Sequence, residues 1–163
     1  MEENGKGFIL PITEAALDNP TDEVMVLSKE GQIQVVKSKP DPKMKVYPML
    51  RPITSPMKVG KEPSKYTLVS LEIIQPEGSL PEHYHECNAE MPVFDHIFYI
   101  ISGRVRAKIG DIEKTVGADT LIYCPSNVRH SLTNVGKGPA KYLLIAASPE
   151  KMGKSPVYLK KPR

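Results

Sequence analysis

Histidine is scarce in this chain, four among 163 residues, and its placement is concentrated. Three of the four lie in one run from Gly78 to Gly103, G-S-L-P-E-H-Y-H-E-C-N-A-E-M-P-V-F-D-H-I-F-Y-I-I-S-G. His83 and His85 alternate along what reads as a strand, where side chains i and i+2 share a face with Cα atoms about 6–7 Å apart. Two imidazoles so placed can converge on one metal ion. His96 opens a second strand-like run, H-I-F-Y-I-I, that stops at Ser102-Gly103. His130 follows a P-S-N-V-R turn and opens H-S-L-T-N. No histidine is spent elsewhere, and that economy is the strongest functional signal in the chain.

These residues resemble the two motifs of the cupin family. The first motif runs Gly, five residues, His-x-His, three or four residues, Glu, six residues, Gly. Here Gly78 stands four residues before His83-Tyr84-His85, one fewer than usual. The second motif runs Pro-x-Gly, two residues, His, three residues, Asn, and Pro125 to Asn134 fits it around His130, with Asn127 in the place of Gly. Asn tolerates left-handed turn geometry next best after Gly, so that departure is mild. Asp119 stands where the second motif usually begins with Gly. The resemblance covers roughly residues 66–147 and the motif pair occurs once. It implies a jelly-roll barrel with a metal centre.

Two residues compete for the glutamate slot of the first motif. Counting forward from His85 reaches Glu90, and counting back from Gly103 reaches His96. The Gly103 count runs through a strand, where a one-residue slip would turn every side chain over, whereas the His85 count runs through a lengthened loop. Strand register therefore favours His96, and the resemblance implies the metal ligands His83, His85, His96 and His130. Glu90 is the alternative, giving three histidines and a carboxylate. Glu86, Glu90 and Asp95 are read in that loop as solvated charges or, for one of them, a general base or a group orienting a histidine nitrogen, Glu90 being the candidate catalytic residue. Phe98 and Ile100 share the face of His96, and Leu132 that of His130, so they are expected to wall the pocket. Tyr84 alternates away from the metal, Cys87 is read as a quiet thiol, and Arg104 and Arg106 are placed on the surface.

Neutral imidazoles suit a divalent transition metal (Fe, Mn, Cu, Ni or Zn) and exclude Ca and Mg. They leave the ion's charge uncompensated, which favours polarising an anionic or enolisable oxygen. An octahedral ion would keep two open positions, enough for a bidentate substrate or for substrate plus dioxygen. Cupins with three or four histidines resemble dioxygenases, so the expected function is oxidoreductase chemistry on a small organic substrate. The alternatives are a metal-dependent lyase, cyclase or isomerase on a sugar acid or polyketide-like molecule, and a non-catalytic ligand- or metal-binding module. Fold membership does not choose among them.

The rest of the chain must carry these residues. Its length suits one domain, and 25% charged and 40% hydrophobic residues are ordinary for a soluble protein. The acidic start M-E-E-N-G-K-G and the short F-I-L-P-I run are neither a signal peptide nor a membrane span, and a cytoplasmic location is expected. A net charge of +3 without interleaved aromatics argues against nucleic acid. Residues 1–65 read as an irregular arm. It holds a helical turn near Thr13–Leu17, short strands at Val24–Leu27 and Gln32–Val36, and a proline-punctuated stretch in which central strands are not expected, though edge strands such as Lys45–Tyr47 are open to it. Residues 66–147 read as an all-β barrel, with a Gly110-Asp111 hairpin between R-V-R-A-K-I and I-E-K-T-V. Residues 148–163 form a basic tail. The arm is expected to pack on the barrel or on the sheet edge of a partner in a homodimer.

Overall fold

Short runs of β-branched and aromatic residues between Gly, Pro and Asp turns become strands throughout, and no helix occurs among the described residues. The computed structural model describes residues 14, 20, 23–27, 33–37, 41–52, 62–64, 67–84 and 95–147. The expected turn at Thr13–Leu17 lies outside them apart from Glu14. The strands are β1 (Glu23–Leu27), β2 (Ile33–Lys37), β3 (Met44–Pro52), β4 (Glu62–Ser64), β5 (Thr67–Ile74) and β6 (Ser79–His83). They continue with β7 (Asp95–Ser102), β8 (Val105–Ile109), β9 (Ile112–Val116), β10 (Thr120–Cys124), β11 (His130–Asn134) and β12 (Ala140–Ala147). β1 and β2 pair with each other as an antiparallel hairpin.

Two larger sheets carry the fold, ordered β10-β7-β12-β5-β3-β4 and β6-β11-β8-β9. The architecture is all-β and of the jelly-roll type. Alternation fills the space between the sheets. Ile74, Phe98, Ile100 and Tyr142 of the six-stranded sheet meet Leu80, Val105, Ala107 and Leu132 of the four-stranded one in a single buried cluster. β8 shows the pattern plainly, with Val105 and Ala107 buried and Arg106 and Lys108 exposed. The β8–β9 turn is the expected two-residue hairpin, with Ile109 opposite Ile112 and Gly110 at φ +56°.

β5 is buried on both faces from Ser70 to Ile74, because both faces are covered. Leu71 and Ile73 pack with Tyr47 and Met49 of β3 in a second buried cluster on the outer side of the sheet. Glu14 lies on that side, accepting hydrogen bonds from the Tyr47 hydroxyl at 3.2 Å and from Lys141 Nζ at 3.1 Å.

The proline-punctuated stretch departs from expectation. β3 is an interior strand between β5 and β4, and it belongs to the same sheet as β5 although it precedes residue 66. Pro48 is accommodated at a register shift between Pro48 and Leu50, and β4 pairs only with Leu50–Pro52. Asp41, just ahead of β3, ties it to the start of β6. Its carboxylate accepts from the Lys43 N–H at 2.7 Å and from the Ser79 N–H at 2.8 Å. At the other end Asn134 donates to the carbonyls of Ile74 and Gly138 and accepts from the Gly136 N–H, closing the β11–β12 turn.

Candidate metal centre

β6 ends on His83 and β11 begins on His130, and the antiparallel register sets the two opposite each other. Their ring centroids are 4.3 Å apart. His96 enters from the other sheet, on β7, with its ring 5.3 Å from that of His130. Three imidazoles from three strands thus gather at one end of the sandwich, between the sheets. His96 and His130 are buried, whereas His83 is half-buried.

Backbone carbonyls orient two of the rings. His83 Nδ1 lies 2.8 Å from the Pro81 carbonyl, and His130 Nδ1 lies 2.9 Å from that of Val128. A carbonyl only accepts, so each Nδ1 carries the proton, and in the neutral ring Nε2 holds the lone pair. Burial, and secondarily the neighbouring His83, hold the His130 pKa below the ordinary imidazole value and favour the neutral, ligating form. Cys124 sits opposite His96 in the β10–β7 register, with Sγ 3.3 Å from His130 Nδ1. Burial pushes its thiol up to about 11.

Phe98 is the apolar neighbour of this cluster, 6.1 Å from the His96 ring and 5.7 Å from that of His130. Ile100 and Leu132 are fully buried in the shared core. Tyr84 is exposed, with the Arg129 guanidinium 5.4 Å above its ring. His85, Glu86, Cys87 and Glu90 lie outside the described residues. Among the described residues, no group of three or more His, Cys, Asp or Glu side chains is placed so as to hold a metal ion. The donor chemistry of the three rings nevertheless fits a transition metal: the Pro81 and Val128 carbonyls fix Nδ1 on two of them, the second-sphere arrangement typical of ligating histidines.

Asp95 is not a loop residue as the sequence suggested. It is the first residue of β7, and its carboxylate is held by Tyr123 and Ser126. The reason is pairing with a distant strand: β7 starts one residue ahead of His96, where Asp95 still opposes Ala147 of β12.

Sequence reasoning also passed over Glu72. It is buried in the six-stranded sheet, accepting hydrogen bonds from the Tyr142 hydroxyl at 2.6 Å and from Ser70 Oγ at 2.9 Å. The signal was present in Y-T-L-V-S-L-E-I-I, where Ser70 and Glu72 occupy alternate positions on the face that also carries Ile74.

A depression of about 660 Å³ lined by Glu82, Lys108, Asp111 and Arg129, among others, excludes the histidine rings. Its one carboxylate on β6, Glu82, is already paired with Lys108 at 2.8 Å. The concavity and the chemistry therefore lie apart, and the residue types favour the rings.

Residues 70–146 match the family model described as a cupin domain. The match supports a cupin assignment for this segment. It runs from within β5 to the last residue but one of β12 and includes every described histidine, and the match spans just under half of the chain. No curated protein matches the chain. Among solved structures, the polyketide cyclase RemF from Streptomyces resistomycificus is similar with a TM-score of 0.57 at 14% identity, over 86% of this chain and 80% of that one. The Cnp3 cupin domain of Schizosaccharomyces pombe gives a TM-score of 0.53 at 14% identity, over 79% and 89%. KdgF from a Halomonas species gives 0.51 at 10% identity, over 68% and 83%. At these identities the likeness shows the fold alone and leaves the reaction open. Among the described residues no helix is long and apolar enough to cross a membrane.

Proposed function

We propose that this protein is a metal-dependent cupin enzyme for a small organic substrate bearing an anionic or enolisable oxygen, with lyase, cyclase or isomerase chemistry. The observation that carries this reading is the gathering of His83, His96 and His130, two of them with Nδ1 committed to a carbonyl. His85 would complete the ligand set. When bound, one divalent transition ion (Fe, Mn, Cu, Ni or Zn) among neutral imidazoles supplies Lewis acidity undiminished by ligand charge. The chain supplies orientation and dryness. The Pro81 and Val128 carbonyls hold two rings, Phe98 walls the inner side with an apolar face, and the half-buried His83 marks the side open to substrate. Glu90 is the candidate carboxylate for moving a proton there. The polyketide cyclase RemF shares the fold, and the reaction class is carried over from it by analogy alone.

Dioxygenase-type oxidation is the second reading. It is favoured by the same all-imidazole set, which suits Fe, Mn and Cu as well as Zn. A homodimer in a cytoplasmic setting belongs to this proposal too. Leu121, Tyr123 and Tyr99 are exposed on neighbouring strands β10 and β7, a surface fit for a second copy.

Elemental mass spectrometry on untagged wild-type protein and on His96→Ala tests the centre, with oxygen uptake measured on the same samples. The expected result is one transition-metal ion per chain, largely lost in the variant, and no oxygen consumption during substrate turnover. Oxygen uptake would transfer the assignment to the oxidative class. Absence of metal in reconstituted wild type would overturn both readings.

A further inference from the structure

His83 and His130 are brought together by a backbone ladder, but His96 belongs to the opposite sheet, and something must fix it against them. The β7–β10 ladder ends at the pair His96–Cys124. Immediately beyond it, the chain turns through Pro125-Ser126-Asn127, with Asn127 at φ +63°, toward His130. One side chain spans that gap. Asp95 Oδ1 accepts from the Ser126 N–H at 3.0 Å and from Ser126 Oγ at 2.8 Å, and Oδ2 accepts from the Tyr123 hydroxyl at 2.7 Å. One oxygen of the carboxylate is thereby committed to the turn between β10 and β11 and the other to Tyr123 in β10.

We infer that Asp95 is a positioning residue that fixes the His96 ring relative to the His130 ring by clamping the Ser126 turn. The metal-affinity part of this inference rests on the proposed metal centre. The geometry gives the clamp its direction. Asp95 is adjacent to His96 in the chain, and Ser126 lies four residues before His130, so the two hydrogen bonds from Ser126 join the two ligand-bearing segments outside the ladder, while the one from Tyr123 anchors the carboxylate to β10. Cys124 joins them inside, through its contact with His130 Nδ1 at 3.3 Å. Charge-assisted hydrogen bonds are the stronger kind, and a carboxylate accepting a backbone N–H and a hydroxyl together fixes direction as well as distance. The His83–His130 contact has no part in this clamp, since the β6–β11 register holds it.

That separation supplies an internal control. The variants are Asp95→Ala, Asp95→Asn and Ser126→Ala in the full-length protein. Two readouts apply: NMR cross-peaks between imidazole rings in the metal-free protein, and affinity for a titrated divalent transition ion. In Asp95→Ala the His96–His130 cross-peak is expected to weaken several-fold while the His83–His130 cross-peak keeps its wild-type intensity. Metal affinity is expected to fall about 10- to 100-fold, the usual effect of losing an outer-sphere partner. Ser126→Ala should move both readouts in the same direction by less, and Asp95→Asn should restore much of the loss because its carboxamide oxygen still accepts from Ser126. A folded Asp95→Ala protein with an unchanged His96–His130 cross-peak would overturn the inference. So would equal loss of both cross-peaks, which marks general loosening. Should Asp95→Ala fail to fold, Ser126→Ala decides by the same criterion. If wild type takes up no metal, the proposed function falls while the cross-peaks still judge the clamp.

Discussion

Cys124 and His130 touch at the closed end of the histidine cluster, and burial acts on them in opposite directions. It penalises the charged form of each, so the thiol pKa rises to about 11 and the imidazole pKa falls. Both groups are therefore neutral at neutral pH, which suits a ring that must present a lone pair and a sulfur that must stay out of redox chemistry. Cys124 has 0% exposure, so access as well as thiolate fraction limits its reactivity. Native protein treated with iodoacetamide at mildly alkaline pH should leave the peptide containing Cys124 unmodified, with labelling appearing only as denaturant unfolds the chain. Peptide-level mass spectrometry separates it from Cys87. Rapid labelling of the native protein would mean that this end of the barrel is open to solvent.

Among the elements, the β7–β8 turn is the most demanding. Gly103 has φ +89°, and a Cβ there would stand 2.6 Å from the Ala140 Cα, at the start of β12. Both the backbone conformation and the contact with another strand require glycine. Gly103→Ala should cost about 1–3 kcal/mol, read as a lower denaturation midpoint with an unchanged slope. Wild-type stability in the variant would refute that reading. This glycine, the Gly110 hairpin and left-handed Asn127 were legible in the sequence because their constraints are local. The strand positions of His83, His96 and His130 were legible for the same reason: each strand is bounded by turn residues. Pairing between distant segments was not legible. Nothing in M-K-V-Y-P-M-L-R-P announces that β5 and β4 flank it, and proline content argued the other way. Asp95 was read as loop because its partners, Tyr123 and Ser126, lie 28 and 31 residues away. A clamp between segments is a tertiary fact, and no local pattern encodes it.

Across the whole molecule, the carboxylates divide into two groups with opposite effects on stability. Lys141 is the main cause holding Glu14 below the ordinary carboxylate range. Burial alone would raise Asp41, but hydrogen bonds from Lys43 and Ser79 outweigh it and hold that group low as well. Groups of this kind contribute stability above their unfolded pKa that is lost as pH falls through the folded one. Glu72 does the reverse. Burial raises it above 4.5, against the opposing hydrogen bonds from Tyr142 and Ser70, so the folded state retains a proton the unfolded chain has already released. Its contribution is fully present below the unfolded pKa and is lost as pH rises through the folded value. The slope cannot exceed about 1.4 kcal/mol per pH unit for a single group. Glu72→Gln removes that titration while keeping both partners, since its amide oxygen accepts from Tyr142 and its NH₂ donates to Ser70 Oγ. Urea unfolding across the pH range should show wild type losing stability relative to the variant above about pH 4.5, with the variant the more stable protein at neutral pH. Below that range the two curves should fall together, because Glu14 and Asp41 are intact in both. Parallel curves throughout would mean that Glu72 is ionised in the barrel. The interior would then have to solvate a charge with two hydroxyls alone, an arrangement that costs several kcal/mol in so apolar a core.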